Sequence, residues 1–472
     1  MAFSDEIIQR AQEAAAAFRD LDQPKTDRIV RAVYLAAMDN RVRLAAMAAE
    51  ETGMGFGPHK VIKNVVASQL VYEYIKNQKT VGVISEDSFS GIIEMAQPLG
   101  PVLALIPAIN PTSTTIFKIL ITMKTRNPVI ISGNAIAKNC VAETARVCYQ
   151  SALKAGAPER CVQWLAKPSP KTAKELMSHR GLALILATGT GELVKASYSS
   201  GTPTIGAGSG NVPVYIGATA DVPFAVQNIL TSKTFDNGSI CASEQAIVVK
   251  KEIAEKVTAE FKIQKAYFLS PEETEKVGRI AYDKQRGVML ASVVGQPVQR
   301  IAEMAGIEVP VDASVLIAKL DEVSRSRPLS AEILAPILAF YIEETFESAI
   351  ARCMEITRFG GIGHTAVIYS NAPDRIEYFS KNLDVARILV NTPSTQGALG
   401  GMFNTLPPSF TLSCGSGGKN STTDNISTRH LLNIHRICRR RVNQRWMSID
   451  HRKYLDESLT AEELEKEFSK NT

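Results

Sequence analysis

The sequence predicts an α/β protein with two doubly wound parallel sheets. Three observations carry that expectation. Short, wholly apolar runs such as Val102 to Ile106 and Val129 to Ile131 read as strands buried on both faces, the habit of parallel sheets. Helix-length segments separate these runs, and strand-helix alternation is the pattern of a doubly wound sheet. The alternation then resumes after a glycine-rich junction, Gly206-Ala207-Gly208-Ser209-Gly210-Asn211, so a second sheet is expected. At 472 residues the chain is long enough for two or three domains, and its 45% hydrophobic and 21% charged residues are ordinary for a globular protein.

Helices come first along the chain. Ser4 is placed to cap a helix whose apolar face is Ile7, Ile8, Ala11, Ala15 and Phe18. Ile29, Val30, Val33, Tyr34 and Ala37 repeat the spacing, as do Val42, Leu44, Ala45 and Ala48 before a stop at Gly53. Residues 80–97 change to two short strands around a Ser/Asp/Gly turn, a projecting hairpin. The first sheet takes strands at 102–106, 129–131, 162–165 and 182–186, with helices at 112–124, 137–154 and 171–179. The second takes 212–216 and strands near 246–249, 314–317, 337–341, 365–369 and 386–390, with a helix from Thr345 to Met354. A Gly, Pro, Ser and Thr-rich loop at 391–425 has the length and composition of a functional loop. An apolar run at 431–434 and a charged helix at 459–470 follow.

Composition excludes several classes. A net charge of +5 is modest for this length and does not call for nucleic acid or a membrane surface. The basic run from Arg436 to Arg445 has only Trp446 as an aromatic neighbour, so it reads as a solvated or subunit-facing segment, not a nucleic-acid site. No apolar run reaches membrane-spanning length, and the N-terminus lacks a basic segment followed by an apolar core, so a cytoplasmic protein is expected. The seven cysteines are scattered without a CxxC pair, which argues against both a disulfide framework and a metal site.

Three stretches carry chemistry. Thr234-Phe235-Asp236-Asn237-Gly238-Ser239-Ile240-Cys241 is a small-residue loop ahead of a strand, able to present a thiol to a cleft with amide groups beside the sulfur. The plain alternative is a packed cysteine. Asn110-Pro111-Thr112-Ser113-Thr114 follows a strand and opens a helix, where an amide can donate to an oxyanion; the plain alternative is a helix cap. Thr188-Gly189-Thr190-Gly191 also joins strand to helix, as a phosphate-cradling turn would, though it lacks the full dinucleotide fingerprint. Glu332 precedes an apolar strand and by itself reads as a solvated carboxylate.

Together with Lys124-Thr125-Arg126-Asn127, Gly210-Asn211-Val212-Pro213, Gly363-His364-Thr365, Asn391-Thr392-Pro393-Ser394 and Leu412-Ser413-Cys414-Gly415-Ser416, these stretches resemble the aldehyde dehydrogenase superfamily over nearly the whole chain. Within it the chain is most similar to the CoA-acylating members, including the aldehyde dehydrogenase half of bifunctional aldehyde-alcohol dehydrogenases. The resemblance implies two Rossmann-type domains plus a small oligomerisation hairpin and strand. Residues 1–209 would bind NAD(P) and CoA, with the hairpin at about 80–97. Residues 210–427 would form the catalytic domain, and 428–472 an oligomerisation strand with a charged helical tail. It implies Cys241 as nucleophile, Asn110 as oxyanion donor and His364 as a second acid/base. Ile106, Pro107, Thr188, Gly189, Gly191, Gly210 and Glu332 fall at cofactor-binding positions. NAD(H) or NADP(H) would be the redox cofactor and coenzyme A the co-substrate, with a small aldehyde as partner and a homodimer or homotetramer as assembly.

Hydrolytic relatives place a glutamate about 34 residues ahead of the cysteine to activate water; here that position is Ala207, so the thioester is expected to wait for a thiol. The expected reaction is reversible oxidation of a short aldehyde, such as acetaldehyde, succinic semialdehyde or sulfoacetaldehyde, to its acyl-CoA. The alternatives are a hydrolytic or acyl-phosphate-reducing semialdehyde dehydrogenase, or a catalytically silent assembly subunit. Two departures from the family stand out: Ser132-Gly133-Asn134-Ala135 where Pro-His-Pro is common, and Gly417-Gly418-Lys419-Asn420 where relatives carry an aromatic. Arg126, Lys419 and the loop 394–404 are candidates for selecting an anionic aldehyde.

Overall fold

In a computed structural model, residues 3–470 are described, and the chain forms two compact units: Met1–Gln78 with Pro98–Leu432, and Lys79–Gln97 with Asn433–Thr472. The larger unit holds both expected sheets. The first consists of β1 (Val102–Ile106), β2 (Val129–Gly133), β3 (Val162–Trp164), β4 (Leu184–Thr188) and β5 (Thr204–Ala207), in the order β3-β2-β1-β4-β5 and parallel throughout. β1 is central and every one of its residues is buried. Its two faces serve two cores. Val102, Ala104 and Ile106 pack with Phe18, Ile29, Val33 and Phe117, whereas Leu103 and Leu105 pack with Ile7, Ile8 and Ala11 of the first helix. The N-terminal helices Phe3–Arg19 and Gln23–Asp39 thus cover opposite faces of one sheet.

The second sheet consists of β6 (Val212–Ile216), β7 (Glu244–Lys250), β8 (Ala266–Phe268), β9 (Val315–Lys319), β10 (Ile337–Glu343), β11 (Gly363–Tyr369) and β12 (Val385–Val390), in the order β8-β9-β10-β7-β6-β11-β12. It too is parallel, and β7 is its central strand. Strand β7 divides its side chains between cores as β1 does: Ile247 and Val249 join the cluster that holds Val102 and Ala104, while Ala246 and Val248 face Tyr341 and Phe346. One continuous core therefore underlies both sheets.

The expected elements stand where they were placed, most with ends shifted by a residue or two, though the helix expected at Thr345 to Met354 runs on to Gly360; the short strands β5 and β8 are additional. So is a helix that the sequence hides. Residues Gly57–Val65 form α1, which continues through a π-helical turn at Val66–Leu70 into Val71–Ile75. Its apolar Ile62 is half exposed while Lys60, Lys63 and Asn64 are buried, so hydrophobic spacing points to the wrong face. The loop 391–425 is not wholly irregular either, containing the helix Ser394–Leu399 and an isolated bridge between Leu412 and Asn425.

The smaller unit is a three-stranded sheet in which Gly82–Asp87 pairs antiparallel with Ile92–Pro98, and Leu432–Cys438 is the third strand. The expected charged helix near the C-terminus spans Ala461–Ser469, started by a capping box between Thr460 and Glu463.

The Lys124-Thr125-Arg126-Asn127 motif proves to be architectural. Helix α2 (Pro111–Lys124) ends there, and Asn127 Oδ1 accepts from the backbone N–H groups of Leu99 (2.7 Å) and Gly100 (3.0 Å) while its Nδ2 donates to Leu431 O (2.8 Å). Arg126 is buried with Nη1 donating to the carbonyls of Arg19 and Leu21, both at 3.2 Å. It is spent on the backbone, which corrects the expectation that it could select an anionic aldehyde. Replacing Asn127 with Ala strands two half-buried donors and one buried acceptor, so chemical denaturation of Asn127→Ala should show a loss of about 2–5 kcal/mol; a loss below ~1 kcal/mol would mean that water replaces the amide.

Candidate active site

The site lies where the carboxyl edge of the first sheet meets the amino edge of the second. From the first sheet come residues at and just beyond the strand ends: Ile106 closing β1 with Pro107 and Asn110 beyond it, and Thr188 closing β4 with Gly189 beyond it and Gly191 opening α3 (Gly191–Tyr198). From the second come residues before the strand starts: Gly210 before β6, Cys241 before β7, Glu332 before β10 and His364 at the head of β11. Ligands of open α/β sheets bind beyond the carboxyl ends of strands. Only the first sheet follows that rule; the second contributes its opposite edge.

The edges meet with no room to spare. A Cβ on Gly210 would lie 2.0 Å from the carbonyl oxygen of Cys241 and 3.2 Å from the ring of His364, so the junction loop runs directly against the cysteine loop. Gly363, with φ of 81°, would bring a Cβ within 1.8 Å of Cys414 O. Thr188 and Thr411 hydroxyls lie 3.0 Å apart, and Ser413 Oγ donates to Gly206 O at 2.6 Å, seating the 411–414 segment beside β5.

Cys241 is partly exposed, one of seven free thiols. The turn before it is left-handed at Asp236 (φ 51°) and Asn237 (φ 52°), a conformation that Asp and Asn tolerate better than most residues. Asp236 is locked there. It is fully buried and ion-paired with Lys60 (3.1 Å) and Lys63 of α1, and it accepts from Phe56 N (2.6 Å) and Ser239 Oγ (2.8 Å). Its own N–H donates to His59 Nδ1 at 2.8 Å. Burial alone would raise the Asp236 pKa, but the charges of Lys63 and Lys60 outweigh it and hold the carboxyl below its ordinary value.

Asn110 occupies the N-cap position of α2, and its carbonyl accepts from Thr114 N (3.0 Å), but its side chain makes no capping hydrogen bond. Its Oδ1 instead accepts from Lys63 Nζ at 2.6 Å, which turns the Nδ2 donors away from the lysine. Lys63 donates as well to Ser239 O (3.2 Å), two residues before the cysteine. Lys60 and Lys63 were invisible in the sequence because their helix was, and Asp236 stood there only as one residue of the cysteine loop.

A scan against family models matches residues 2–404 to one described as the aldehyde dehydrogenase family. The chain belongs to the aldehyde dehydrogenase family. It is 43% identical over 444 residues to the bifunctional aldehyde-alcohol dehydrogenase AdhE of Escherichia coli K12, an alignment covering 93% of this chain and 50% of AdhE. The chain thus spans about half the length of that relative. The crystal structure of an acetylating aldehyde dehydrogenase from Geobacillus thermoglucosidasius superposes with a TM-score of 0.91 at 44% identity, covering 93% of this chain and 97% of that one. A propionaldehyde dehydrogenase of Rhodopseudomonas palustris, solved with bound CoA and an acylated cysteine, superposes with a TM-score of 0.82 at 25% identity over 92% of this chain and 97% of that one.

The sulfur of Cys241 sits in a mixed field. Burial pushes the Cys241 pKa up to about 12, and the charges of Glu332 and Cys414 add to that, while Arg387 and the cysteine's own backbone N–H favour the thiolate. Glu332 is not a solvated carboxylate. It is partly buried, with Oε1 accepting from Gly210 N at 3.1 Å, and burial raises its pKa to about 7 against the opposing effects of that N–H and of Lys233. His364 is buried, with Nδ1 2.9 Å from Thr365 Oγ1 and no partner on Nε2. Burial and then Arg387 hold its pKa well below the ordinary value, so the ring is neutral.

Ala207 is buried at the end of β5, in register with Thr188. Lys419, the other cation considered for anion selection, is exposed. Among the described residues no group of three His, Cys, Asp or Glu side chains is arranged to hold a metal ion, and no helix is long and apolar enough to cross a membrane.

Because the Glu332 charge opposes the thiolate, Glu332→Gln should shift the pH midpoint of Cys241 alkylation by iodoacetamide to lower pH, by up to about 1 unit. Cys241→Ala identifies the signal. An unmoved midpoint would show that the carboxylate does not reach the sulfur.

Proposed function

We propose that the chain catalyses the reversible, CoA-dependent oxidation of a short aldehyde to its acyl-CoA, with NAD(P) as hydride acceptor. The observation that carries this reading is Ala207: 34 residues ahead of the cysteine, where the resemblance to hydrolytic aldehyde dehydrogenases expects a water-activating glutamate, the chain has a buried methyl group and no base. The acetylating relative and the propionaldehyde dehydrogenase with CoA and an acylated cysteine support it.

In this mechanism Cys241 Sγ, as thiolate, adds to the aldehyde carbon; a carbon–sulfur bond forms and the carbonyl π pair moves to oxygen. Asn110 Nδ2 and the backbone N–H of Cys241 donate to that oxyanion. The cofactor, when bound, accepts the hydride. As the oxygen regains its double bond, the C–H pair departs as that hydride and a thioester remains on Cys241. A CoA thiol then adds to the same carbon and the bond to Cys241 breaks. In the tautomer that donates Nδ1–H to Thr365, His364 carries a lone pair at Nε2 and can take the CoA thiol proton.

The residues present suit a dinucleotide. At the start of α3 the Thr190 hydroxyl takes Leu193 N–H (3.4 Å), which leaves the amides of Gly191 and Glu192 for phosphate, and among the described residues Glu332 accepts from Gly210 N through Oε1, so its second oxygen is open to a ribose hydroxyl. We assign residues 1–209 to cofactor binding, with Ile106, Pro107, Thr188, Gly189 and Gly191, and residues 210–427 to catalysis, with Gly210 and Glu332 completing the cofactor site. With Arg126 committed to backbone carbonyls, an uncharged substrate such as acetaldehyde fits better than an anionic one. The Leu432–Cys438 strand is an edge of the small sheet, suited to pairing between subunits in a homodimer or homotetramer. Seven unpaired thiols suit a reducing cytoplasm.

Purified protein given acetaldehyde and NAD+ should reduce the cofactor at least ~20-fold faster with CoA than without, and mass spectrometry should find acetyl-CoA. Equal rates, or free acetate as product, would refute the reading. Asn110→Ala should lower kcat by about 10²–10³-fold with KM for CoA little changed.

A further inference from the structure

We propose that Lys63 is a positioning residue for the oxyanion site: its ammonium fixes and polarises the Asn110 amide while tying the helix Gly57–Val65 to the cysteine loop. The proposal rests on the reading of Asn110 as oxyanion donor. It extends that reading to a group that touches neither substrate nor sulfur.

The geometry is specific. Lys63 Nζ reaches Asn110 Oδ1 at 2.6 Å, Ser239 O at 3.2 Å and Ser239 Oγ at 3.3 Å, and it is ion-paired with Asp236. One ammonium thus joins the residue that follows the central strand of the first sheet to the loop that precedes the central strand of the second. An asparagine amide can sit either way round, and only one orientation aims its N–H groups at the oxygen of a bound aldehyde. With a protonated lysine against Oδ1, the flipped amide would set NH2 against NH3+, so the charge selects the productive orientation. A charge-assisted bond to the amide oxygen also draws density from the nitrogen and strengthens its N–H groups as donors.

Lys60 and Lys63 carry two positive charges against the one negative charge of Asp236, leaving the cluster a net cation at the point where an oxyanion develops. The charged and titratable groups facing Lys63 are Lys60 and His59 from its own helix, and Asp236 and Cys241 from the cysteine loop. Burial lowers the Lys63 pKa to about 8, opposed chiefly by Asp236, so the ammonium is present at neutral pH and is lost just above it.

Single-turnover NADH formation from acetaldehyde in wild type, Lys63→Arg, Lys63→Met, Asn110→Ala and the Asn110→Ala/Lys63→Met pair tests the proposal. The wild-type rate should fall on an alkaline limb near pH 8. That limb should move up by at least about 1 unit in Lys63→Arg, which keeps its charge, and should be absent in Asn110→Ala. At pH 7, Lys63→Met should lose ~10-fold or more with KM for CoA and NAD+ within ~3-fold, and the same change in the Asn110→Ala background should cost less than ~3-fold. Equal losses in both backgrounds, or an unmoved limb in Lys63→Arg, overturn the proposal. Full activity in Asn110→Ala overturns the oxyanion reading and the proposal with it, so the two failures are distinguishable. If Lys63→Met does not fold with Asp236 left unpaired, the limb in wild type, Lys63→Arg and Asn110→Ala decides the matter alone.

Discussion

The buried carboxylate of Asp236 is the constraint on which the site depends. It holds a left-handed turn ahead of the cysteine, a conformation that an ordinary residue leaves when it can, and it does so with two lysines, a backbone amide and a serine hydroxyl. Removing three charged groups from water is expensive, and such clusters are poor devices for stability. Here the arrangement yields placement. The carboxylate fixes the cysteine loop, the lysines anchor it to a helix from the N-terminal region, and Lys63 extends the connection to Asn110.

That placement is needed because the two sheets supply opposite edges. Each sheet is rigid by itself, with a central strand buried on both faces, but backbone hydrogen bonds within a sheet do not fix its distance from the other. The shared core beneath Val102, Ala104, Ile247 and Val249 sets the approach in bulk, and side-chain bonds such as those of Lys63, Ser413 and Thr188 set it at the site. Hydrophobic packing is non-directional. Hydrogen bonds to named atoms add the direction.

The sequence disclosed what is repetitive or compositionally unusual. The strands at 102–106 and 212–216 were legible because parallel strands buried on both faces are continuous apolar runs. Cys241 was legible as a thiol in a loop of small residues, and Asn110 as an amide between strand and helix. Glu332 was legible only through family likeness, since a single acid before a strand carries no signal of burial. The helix at Gly57–Val65 was not legible at all, because its buried face bears Lys60, Lys63 and Asn64, and periodicity methods assume that charge faces water. Partners distant in sequence, 173 residues apart for Lys63 and Asp236, leave no local trace.

The close contacts of Gly210 with Cys241 O and of Gly363 with Cys414 O have an evolutionary consequence. Both are encounters between backbones, so no rearrangement of side chains relieves an added methyl group. A lineage descending from this protein can diversify the side chains that line the substrate's path, but it inherits the seam between the sheets unchanged. New specificities therefore have to arise in loops whose backbones have freedom, and a library aimed at altered substrate preference gains most when it leaves the glycines of the seam fixed.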